Sequence, residues 1–274
     1  MGGFKRVAAG LCAVALLLAA CTSNSVPSVI PTPTPTPTIA PALDATLLSE
    51  SLKPLLAQPE LGSRVGIAVF DVSRQTFLIE NSSEFIPAST AKLFTLTAVD
   101  LMLPTAEVDI NKSSKEIARV LRESDNRGAE KLSKLLGECP LKILVREFPE
   151  LDLSQTYIAD AAGLSRKSKT TPNTLAHLLA LVWLDSRTTA VATGLPLAGV
   201  QGTMKKRSKD LAGTYFAKTG TLSGVNSLAG IFITKSGRSI TFAIMADRIP
   251  VQPGATTKAR KAIDRIATAL LSAN

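Results

Sequence analysis

The spacing of apolar residues predicts helices at both ends of a folded region and two pairs of strands between them. Leucines recur roughly every fourth or fifth residue over 42–57, and apolar residues share one stripe over 256–271, as in amphipathic helices. Apolar, β-branched runs separated by short polar segments are typical of strands. They predict two hairpins, 64–71 with 75–81 and 228–234 with 239–245.

Between the two hairpins the apolar pattern is helical. We predict one helix from Ser89 to about Met102 and others over 112–121, 126–136 and 171–183. This order of elements favours an α/β (α+β) fold: an antiparallel sheet covered by N- and C-terminal helices, with a helical lobe inserted in the middle.

The N-terminal segment has the pattern of an export signal. Lys5 and Arg6 precede an apolar run that is too short to span a membrane and that ends at Cys21. Residues 18–21 resemble the lipobox of bacterial lipoproteins, in which the cysteine is lipidated; an ordinary signal peptide cleaved nearby is the alternative. We therefore predict a signal peptide over 1–20, a Pro/Thr-rich linker over 21–42 and a folded domain over 43–274. The predicted location is the extracytoplasmic face of the cell membrane, with a lipid anchor on Cys21.

Cysteine usage and charge agree with export. Cys12 leaves with the signal and Cys21 would carry lipid, so Cys139 has no partner for a disulfide; we expect it to be a small packed residue. The formal charge of +9 falls to +7 without Lys5 and Arg6. A basic surface suits an anionic wall or lipid environment, or is simply a solvated face. Nucleic acid is not an expected partner, because the chain has 4% aromatic residues and no recognition motif.

Candidate chemistry begins at Ser89, the only serine followed three residues later by lysine, Lys92. At the start of a helix this spacing puts hydroxyl and amine on one face, where a neutral amine can take the hydroxyl proton. Two further segments follow in order along the chain, Ser124-Asp125-Asn126 and Lys218-Thr219-Gly220. Each motif alone is explained as well by a helix cap or a strand-end turn. Their ordered combination predicts an acyl-transfer site.

The ordered motifs resemble those of the serine-active penicillin-recognising enzymes, which include β-lactamases and D-alanyl-D-alanine peptidases. The resemblance implies that Ser89 attacks a carbonyl, Lys92 acts as its base and Ser124 passes a proton to the leaving nitrogen. Asn126 would bind a substrate amide, and Lys218 with Thr219 a terminal carboxylate. Gly220 would let substrate lie along the strand, and the backbone N–H groups of Ser89 and Thr221 would form the oxyanion hole.

Longer segments sharpen this resemblance. Residues 160–166, 197–204 and 217–230 look like the class C low-molecular-mass penicillin-binding proteins, which are D-alanyl-D-alanine carboxypeptidases and endopeptidases. That group usually carries large inserted domains between the first two motifs, whereas Ser89 and Ser124 are only 35 positions apart here. The resemblance implies peptidoglycan peptides as substrates, β-lactams as covalent inhibitors, and neither a metal nor a cofactor.

Other enzyme classes fit the sequence less well. His177 is the only histidine and lies in an apolar helical stretch, where we expect a packed or surface residue rather than part of a catalytic triad. One histidine and few cysteines also disfavour a zinc peptidase. A β-lactamase-like hydrolase needs a base that drives water onto the acyl-enzyme, and neither Glu147 nor Glu150 has the class A spacing, so we expect slow deacylation. A catalytically silent wall-binding lipoprotein of the same fold stays as the other alternative.

Overall fold

The structure is a computed structural model that describes residues 43–273. The predicted signal peptide, the linker and Cys21 lie outside these described residues. Five strands are present in this range: β1 Arg64–Asp71, β2 Thr76–Ile79, β3 Tyr215–Leu222, β4 Val225–Ile233 and β5 Ser239–Asp247. The α-helices of the same range are α1 Ala45–Leu56, α2 Lys92–Met102, α3 Ile110–Glu123, α4 Asn126–Ser133, α5 Pro140–Glu147, α6 Pro172–Leu184, α7 Thr189–Gly194 and α8 Ala255–Ser272.

The strands form one antiparallel sheet in the order β2-β1-β5-β4-β3. The first hairpin therefore pairs with the last strand, with Arg64 opposite Asp247 and Asp71 opposite Ile240. Strand β3 lies at the edge of the sheet, and the start of its outer side is paired with residues 196–198: Ala198 N donates to the carbonyl oxygen of Tyr215, and Ala217 N donates to that of Pro196. Among residues 43–273 this pairing does not continue beyond Ala217, so an added strand has room along the second half of β3. The helices α2 to α7 all lie in the sequence between β2 and β3.

Both faces of the sheet are covered, which explains why β1 and β5 are mostly apolar on both of their faces. Along β1, Ala68 and Phe70 join an apolar cluster with α2, α3 and α6. The alternate residues Ile67 and Val69 join a second cluster with α1 and α8. Helix α6 is buried on almost all sides, so its apolar residues do not form a single stripe.

The predicted fold class is confirmed, and most predicted elements are present within a few residues of their predicted bounds. The helix predicted from Ser89 begins instead as a 3₁₀ turn, Ala88–Ala91, and becomes α-helical at Lys92. Sequence patterns did not delimit β3, whose centre is polar and contains glycine, and they missed the short helices α5 and α7. The expectation for Cys139 was wrong: it is exposed, at the residue that precedes α5.

Candidate active site

Ser89 and Lys92 lie on one tight turn that leads into helix α2. Ser89 is inside the 3₁₀ turn and Lys92 is the first α-helical residue, so the two side chains are one turn apart. Ala88 begins the turn with φ = 50°, a left-handed conformation that is uncommon for alanine. Lys92 Nζ lies 3.2 Å from Ser89 Oγ, within hydrogen-bond distance. The local sequence thus places an amine beside a hydroxyl.

This turn is held against the sheet by the carbonyl group of Pro87. Its oxygen accepts hydrogen bonds from Ser227 Oγ on β4 and from Thr90 Oγ1, both at 2.7 Å. Gly220 on β3 lies so close that a Cβ there would be 2.6 Å from the same oxygen. The Lys-Thr-Gly segment therefore needs its glycine because the turn and the strand are in direct contact.

Lys92 is fully buried and donates to three oxygen atoms. Besides Ser89 Oγ, they are Asn126 Oδ1 at 2.8 Å and the carbonyl oxygen of Ala162 at 2.6 Å. Burial, the largest effect, lowers the pKa of Lys92 to about 8, although the negative charges of Asp160, Asp125 and Glu130 oppose it. An appreciable fraction of this amine is therefore neutral near pH 7 and can accept a proton.

The segment 160–166 braces the turn from behind. Gly163 has φ = 74°, and a Cβ there would lie 2.7 Å from the carbonyl carbon of Ala88. Burial would raise the pKa of Asp160, but hydrogen bonds from the backbone N–H groups of residues 162–165 lower it below its ordinary value. Asp160 is thus an ionised carboxylate whose hydrogen bonds go to the backbone of its own loop. The segment orients Ala162 toward Lys92.

Ser124 and Asn126 lie at the corner between α3 and α4. Ser124 ends α3 in the left-handed conformation, with φ = 57° and ψ = 36°. Asp125 caps α4 by accepting from the N–H of Arg127, and its other carboxylate oxygen pairs with Arg119 at 2.6 Å. Of the two side chains that could cap this helix, Asp125 does so, while Ser124 faces Lys218.

Lys218 is buried within β3, and its side-chain amine supports Ser124. Lys218 Nζ donates to Ser124 Oγ at 2.9 Å and to the carbonyl oxygen of Thr219 at 2.7 Å. Burial and the positive charge of Lys92 lower the pKa of Lys218 well below its ordinary value. Because such coupling is reciprocal, each amine disfavours a proton on the other. Two hydroxyl–amine pairs, Ser89 with Lys92 and Ser124 with Lys218, therefore stand at one site.

These groups open onto a cleft of about 590 Å³. Its lining includes Ser89, Ser124, Thr219 and Thr221 from the predicted set. The other lining residues come from segment 202–207 and from α8: Gly202, Thr203, Lys205, Lys206, Arg207, Thr257, Arg260, Lys261 and Asp264. The structure thus brings all eight predicted catalytic and substrate-binding residues of the described range to one site.

Three features of the site were not predicted from the sequence. Lys92 donates to the carbonyl oxygen of Ala162, and a backbone acceptor of this kind cannot be recognised from the residue type. The sequence indicated only the region, because segment 160–166 resembles a segment of the penicillin-binding proteins. Thr203 Oγ1 accepts from Thr219 Oγ1 at 2.9 Å, and Arg260 Nη2 donates to Thr221 Oγ1 at 3.3 Å. Thr203 lies in the marked segment 197–204, but nothing in the helical pattern of 256–271 distinguishes Arg260.

Residues considered for other chemistry lie elsewhere. His177 stacks on Phe70 with ring centroids 4.9 Å apart, and burial lowers the pKa of its imidazole; of the two expected alternatives, a packed or a surface histidine, it is packed. Glu147 pairs with Arg187 at 2.8 Å and with Arg146 at 3.1 Å.

Over residues 43–273 we find no cluster of three or more histidine, cysteine or acidic side chains able to hold a metal ion. In the same range no helix combines the length and hydropathy needed to cross a bilayer.

Comparison with known proteins gives one family match and several relatives. The profile of the D-Ala-D-Ala carboxypeptidase 3 (S13) family matches residues 110–270, which include Ser124, Asn126 and Lys218; Ser89 and Lys92 precede the match. The chain is 30% identical over 186 residues to carboxypeptidase DacB of Mycolicibacterium smegmatis, covering 61% of this chain and 39% of that protein. It is 27% identical over 143 residues to D-alanyl-D-alanine carboxypeptidase DacB of Haemophilus influenzae, covering 46% and 30%. The matched regions thus span well under half of these relatives.

Solved structures show the same fold at low sequence identity. Penicillin-binding protein 4 of Haemophilus influenzae, in complex with a β-lactam, has a TM-score of 0.65 at 12% identity and is matched over 84% of this chain and 100% of that one. The TLA-1 extended-spectrum β-lactamase has a TM-score of 0.64 at 16% identity, with 85% and 99% covered. The fold is therefore that of the β-lactamase and transpeptidase group.

Proposed function

Since this chain belongs to the D-Ala-D-Ala carboxypeptidase 3 (S13) family, we propose that it is a serine-type D-Ala-D-Ala carboxypeptidase with Ser89 as its nucleophile. The observation that carries the proposal is the contact of 3.2 Å between Ser89 Oγ and the buried amine of Lys92, whose pKa is lowered to about 8. A serine hydroxyl is nearly inert at neutral pH unless a base stands beside it. Lys92 supplies that base.

In the acylation step, Ser89 Oγ attacks the carbonyl carbon of the penultimate D-alanine while its proton passes to Lys92 Nζ. The backbone N–H groups of Ser89 and Thr221 stabilise the oxyanion. When the C–N bond breaks, the proton on Lys92 passes through the Ser124 hydroxyl to the leaving amine, so Lys92 is neutral again; Lys218 holds Ser124 in place at 2.9 Å. Water then opens the ester on Ser89 and releases the shortened peptide, with Lys92 again moving the proton.

Substrate binding follows from the position of β3 at the sheet edge. We propose that a peptidoglycan stem peptide extends along β3 as an added strand, with Gly220 permitting the close approach. Asn126 binds a backbone amide on the acyl side, and Thr219 and Thr221 bind the leaving group. Endopeptidase action on D-alanyl cross-links uses the same groups and belongs to the same proposal.

β-Lactams carry a reactive amide and a carboxylate, so we propose that they acylate Ser89. Fast hydrolysis requires a second base near the ester. The only carboxylate that lines the cleft, among the residues that the structure describes, is Asp264, and it is paired with Arg207 at 2.8 Å. Trapping of the acyl-enzyme, rather than destruction of the antibiotic, is therefore the expected outcome.

The location of the protein is part of the proposal. The signal pattern over 1–20 and the lipobox-like ending at Cys21 support an exported lipoprotein, held by a Pro/Thr-rich spacer at the extracytoplasmic face of the membrane. Expression of the full chain and of Cys21→Ser tests this. We expect the unchanged protein in the membrane fraction and the variant in the soluble or precursor fraction; equal membrane retention of both would contradict lipid anchoring.

Mass spectrometry of the purified domain tests the activity directly. After incubation with penicillin we expect a covalent adduct, and with a stem pentapeptide we expect release of one D-alanine. Ser89→Ala should lose both signals. Ser236→Ala, in the exposed turn between β4 and β5, is the matched control and should keep them. Multiple-turnover hydrolysis of penicillin would indicate a β-lactamase instead, and the absence of both adduct and product would indicate a silent scaffold.

A further inference from the structure

The lining of the active-site cleft carries far more positive than negative charge. Segment 202–207 contributes Lys205, Lys206 and Arg207, and α8 contributes Arg260 and Lys261. Asp264 is the single acidic side chain in the lining of this cleft. A site with this balance of charge favours an anionic ligand group.

Asp264 already forms an ion pair with Arg207. Arg207 donates to the Asp264 carboxylate through Nη2 at 2.8 Å and through Nε at 3.1 Å, a two-point arrangement that uses the planar guanidinium. Arg260 lies on the same helix, one turn before Asp264, and no carboxylate of residues 43–273 is within ion-pair distance of it. Its charge is available to a ligand.

Arg260 also touches the predicted substrate-binding strand. Its Nη2 donates to Thr221 Oγ1 at 3.3 Å, and that hydroxyl in turn donates to Asn226 Oδ1 at 3.3 Å. Loss of some surrounding water and the nearby positive charge of Arg207 lower the pKa of Arg260. The residue as a whole is exposed, in the lining of the cleft. Only one of its five N–H donors is used by this contact.

Lys218, which was predicted to bind the carboxylate, does not line this cleft. It is fully buried, and two of its three donors are directed to Ser124 and to the carbonyl oxygen of Thr219. Arg260 and Thr221, by contrast, both line the cleft. A leaving-group carboxylate bound beside Thr221 would therefore be within reach of Arg260.

We propose that Arg260 is a specificity-determining residue that binds the free carboxylate of the leaving group where the cleft borders Thr219 and Thr221. This inference rests on the proposed peptidase function and adds a residue of α8 to it. A planar guanidinium can hold a carboxylate through two parallel hydrogen bonds, which a lysine cannot do. The helix thus selects substrates that end in a free acid at this position.

The test compares two substrates that differ only in charge. One peptide ends in D-Ala-D-Ala with a free carboxylate, and the other carries a C-terminal carboxamide. We measure kcat/KM for both with the unchanged protein, Arg260→Gln, Arg260→Lys and Arg265→Gln. Arg265 is an exposed residue of α8 that contacts Gln58 and lies outside the cleft lining, so it is the matched control.

We expect the unchanged protein and Arg265→Gln to prefer the free acid to the same degree. Arg260→Gln should reduce this preference by about tenfold to a hundredfold, the usual range for one hydrogen bond to a charged group. The loss should appear in KM with little change in kcat, because the carboxylate is equally charged in the ground and transition states. Arg260→Lys should keep part of the preference, and activity on the amide should be similar in all four proteins.

Two results would overturn the inference while leaving the proposed function intact: a preference for the free acid that persists in Arg260→Gln, or an equal loss in Arg265→Gln. The first would assign carboxylate binding to another group, and the second would assign it to the overall charge of the helix. A folded, unchanged protein that neither cleaves the peptides nor reacts with penicillin would instead refute the proposed function. Acylation by penicillin therefore separates the two failures.

Discussion

The rate of acylation should follow the protonation state of Lys92. Because burial lowers the pKa of this amine from 10.5 to about 8, roughly one molecule in ten has a neutral base at pH 7, about half at pH 8 and about nine in ten at pH 9. With an ordinary lysine the neutral fraction at pH 7 would be about 300 times smaller. The acylation rate should therefore rise about tenfold from pH 7 to pH 9 and then level off.

The assay is the second-order rate constant for labelling by a fluorescent penicillin between pH 6 and pH 10, with circular dichroism at each pH to confirm folding. A neutral amine is the active form, so the sign of the effect is a rise with pH through about 8. Glu130→Gln removes a charge that raises the pKa of Lys92, so its inflection should move to lower pH. Glu107→Gln is the control, because Glu107 is exposed and lies on another segment; it should leave the inflection of the pH–rate profile unchanged.

Two outcomes would refute this reasoning. A rate that still climbs tenfold per pH unit up to pH 10 would mean that burial does not lower the pKa of Lys92. A rate that is constant or falls between pH 6 and pH 9 would mean that the neutral amine is not the base.

Further substitutions probe the strand, the turn and the core. Lys218→Met should slow acylation about a hundredfold, because the Ser124 hydroxyl loses its partner. Lys235→Met should not, because Lys235-Ser236-Gly237, although similar in sequence to Lys218-Thr219-Gly220, lies in the exposed turn between β4 and β5; unchanged labelling of Lys218→Met would assign that role to another lysine. Gly220→Ala should lower the free energy of unfolding by about 1–3 kcal/mol in urea and slow labelling, whereas Gly137→Ala meets no atom within 4 Å and should do neither. Burial raises the pKa of the Asp100 carboxyl to about 6, so the folded state favours its protonated form and loses stability as pH rises through 6. Urea titrations should therefore show Asp100→Asn gaining about 2–3 kcal/mol over the unchanged protein between pH 4 and pH 8; parallel curves would contradict this.

The strands and helices that sequence reasoning located correctly are those whose pattern is local. The interiors of β1 and β5 are mostly apolar, and α8 carries a clear apolar stripe, so each element is specified by its own residues. Strand β3 was not delimited because its central residues, Lys218, Thr219 and Gly220, are selected by the site and not by strand propensity. Cys139 was misjudged because apolar neighbours in sequence do not bury a residue at a helix start.

In the active site, too, local geometry could be predicted from the sequence, and the contacts between distant segments could not. The sequence alone determined that Ser89 and Lys92 share one face, because three positions in a helical turn fix that geometry, and it identified the two partner motifs. Only the tertiary structure decided how the base is tuned: its acceptors on Asn126 and Ala162 are 34 and 70 positions away, and burial of the amine depends on how the lobe closes over it. The approach of Arg260 to Thr221, across 39 positions, was likewise invisible in the helical pattern of α8. Spacing within one turn is set by covalent geometry, whereas the surroundings of a charge are set by every segment that packs against it.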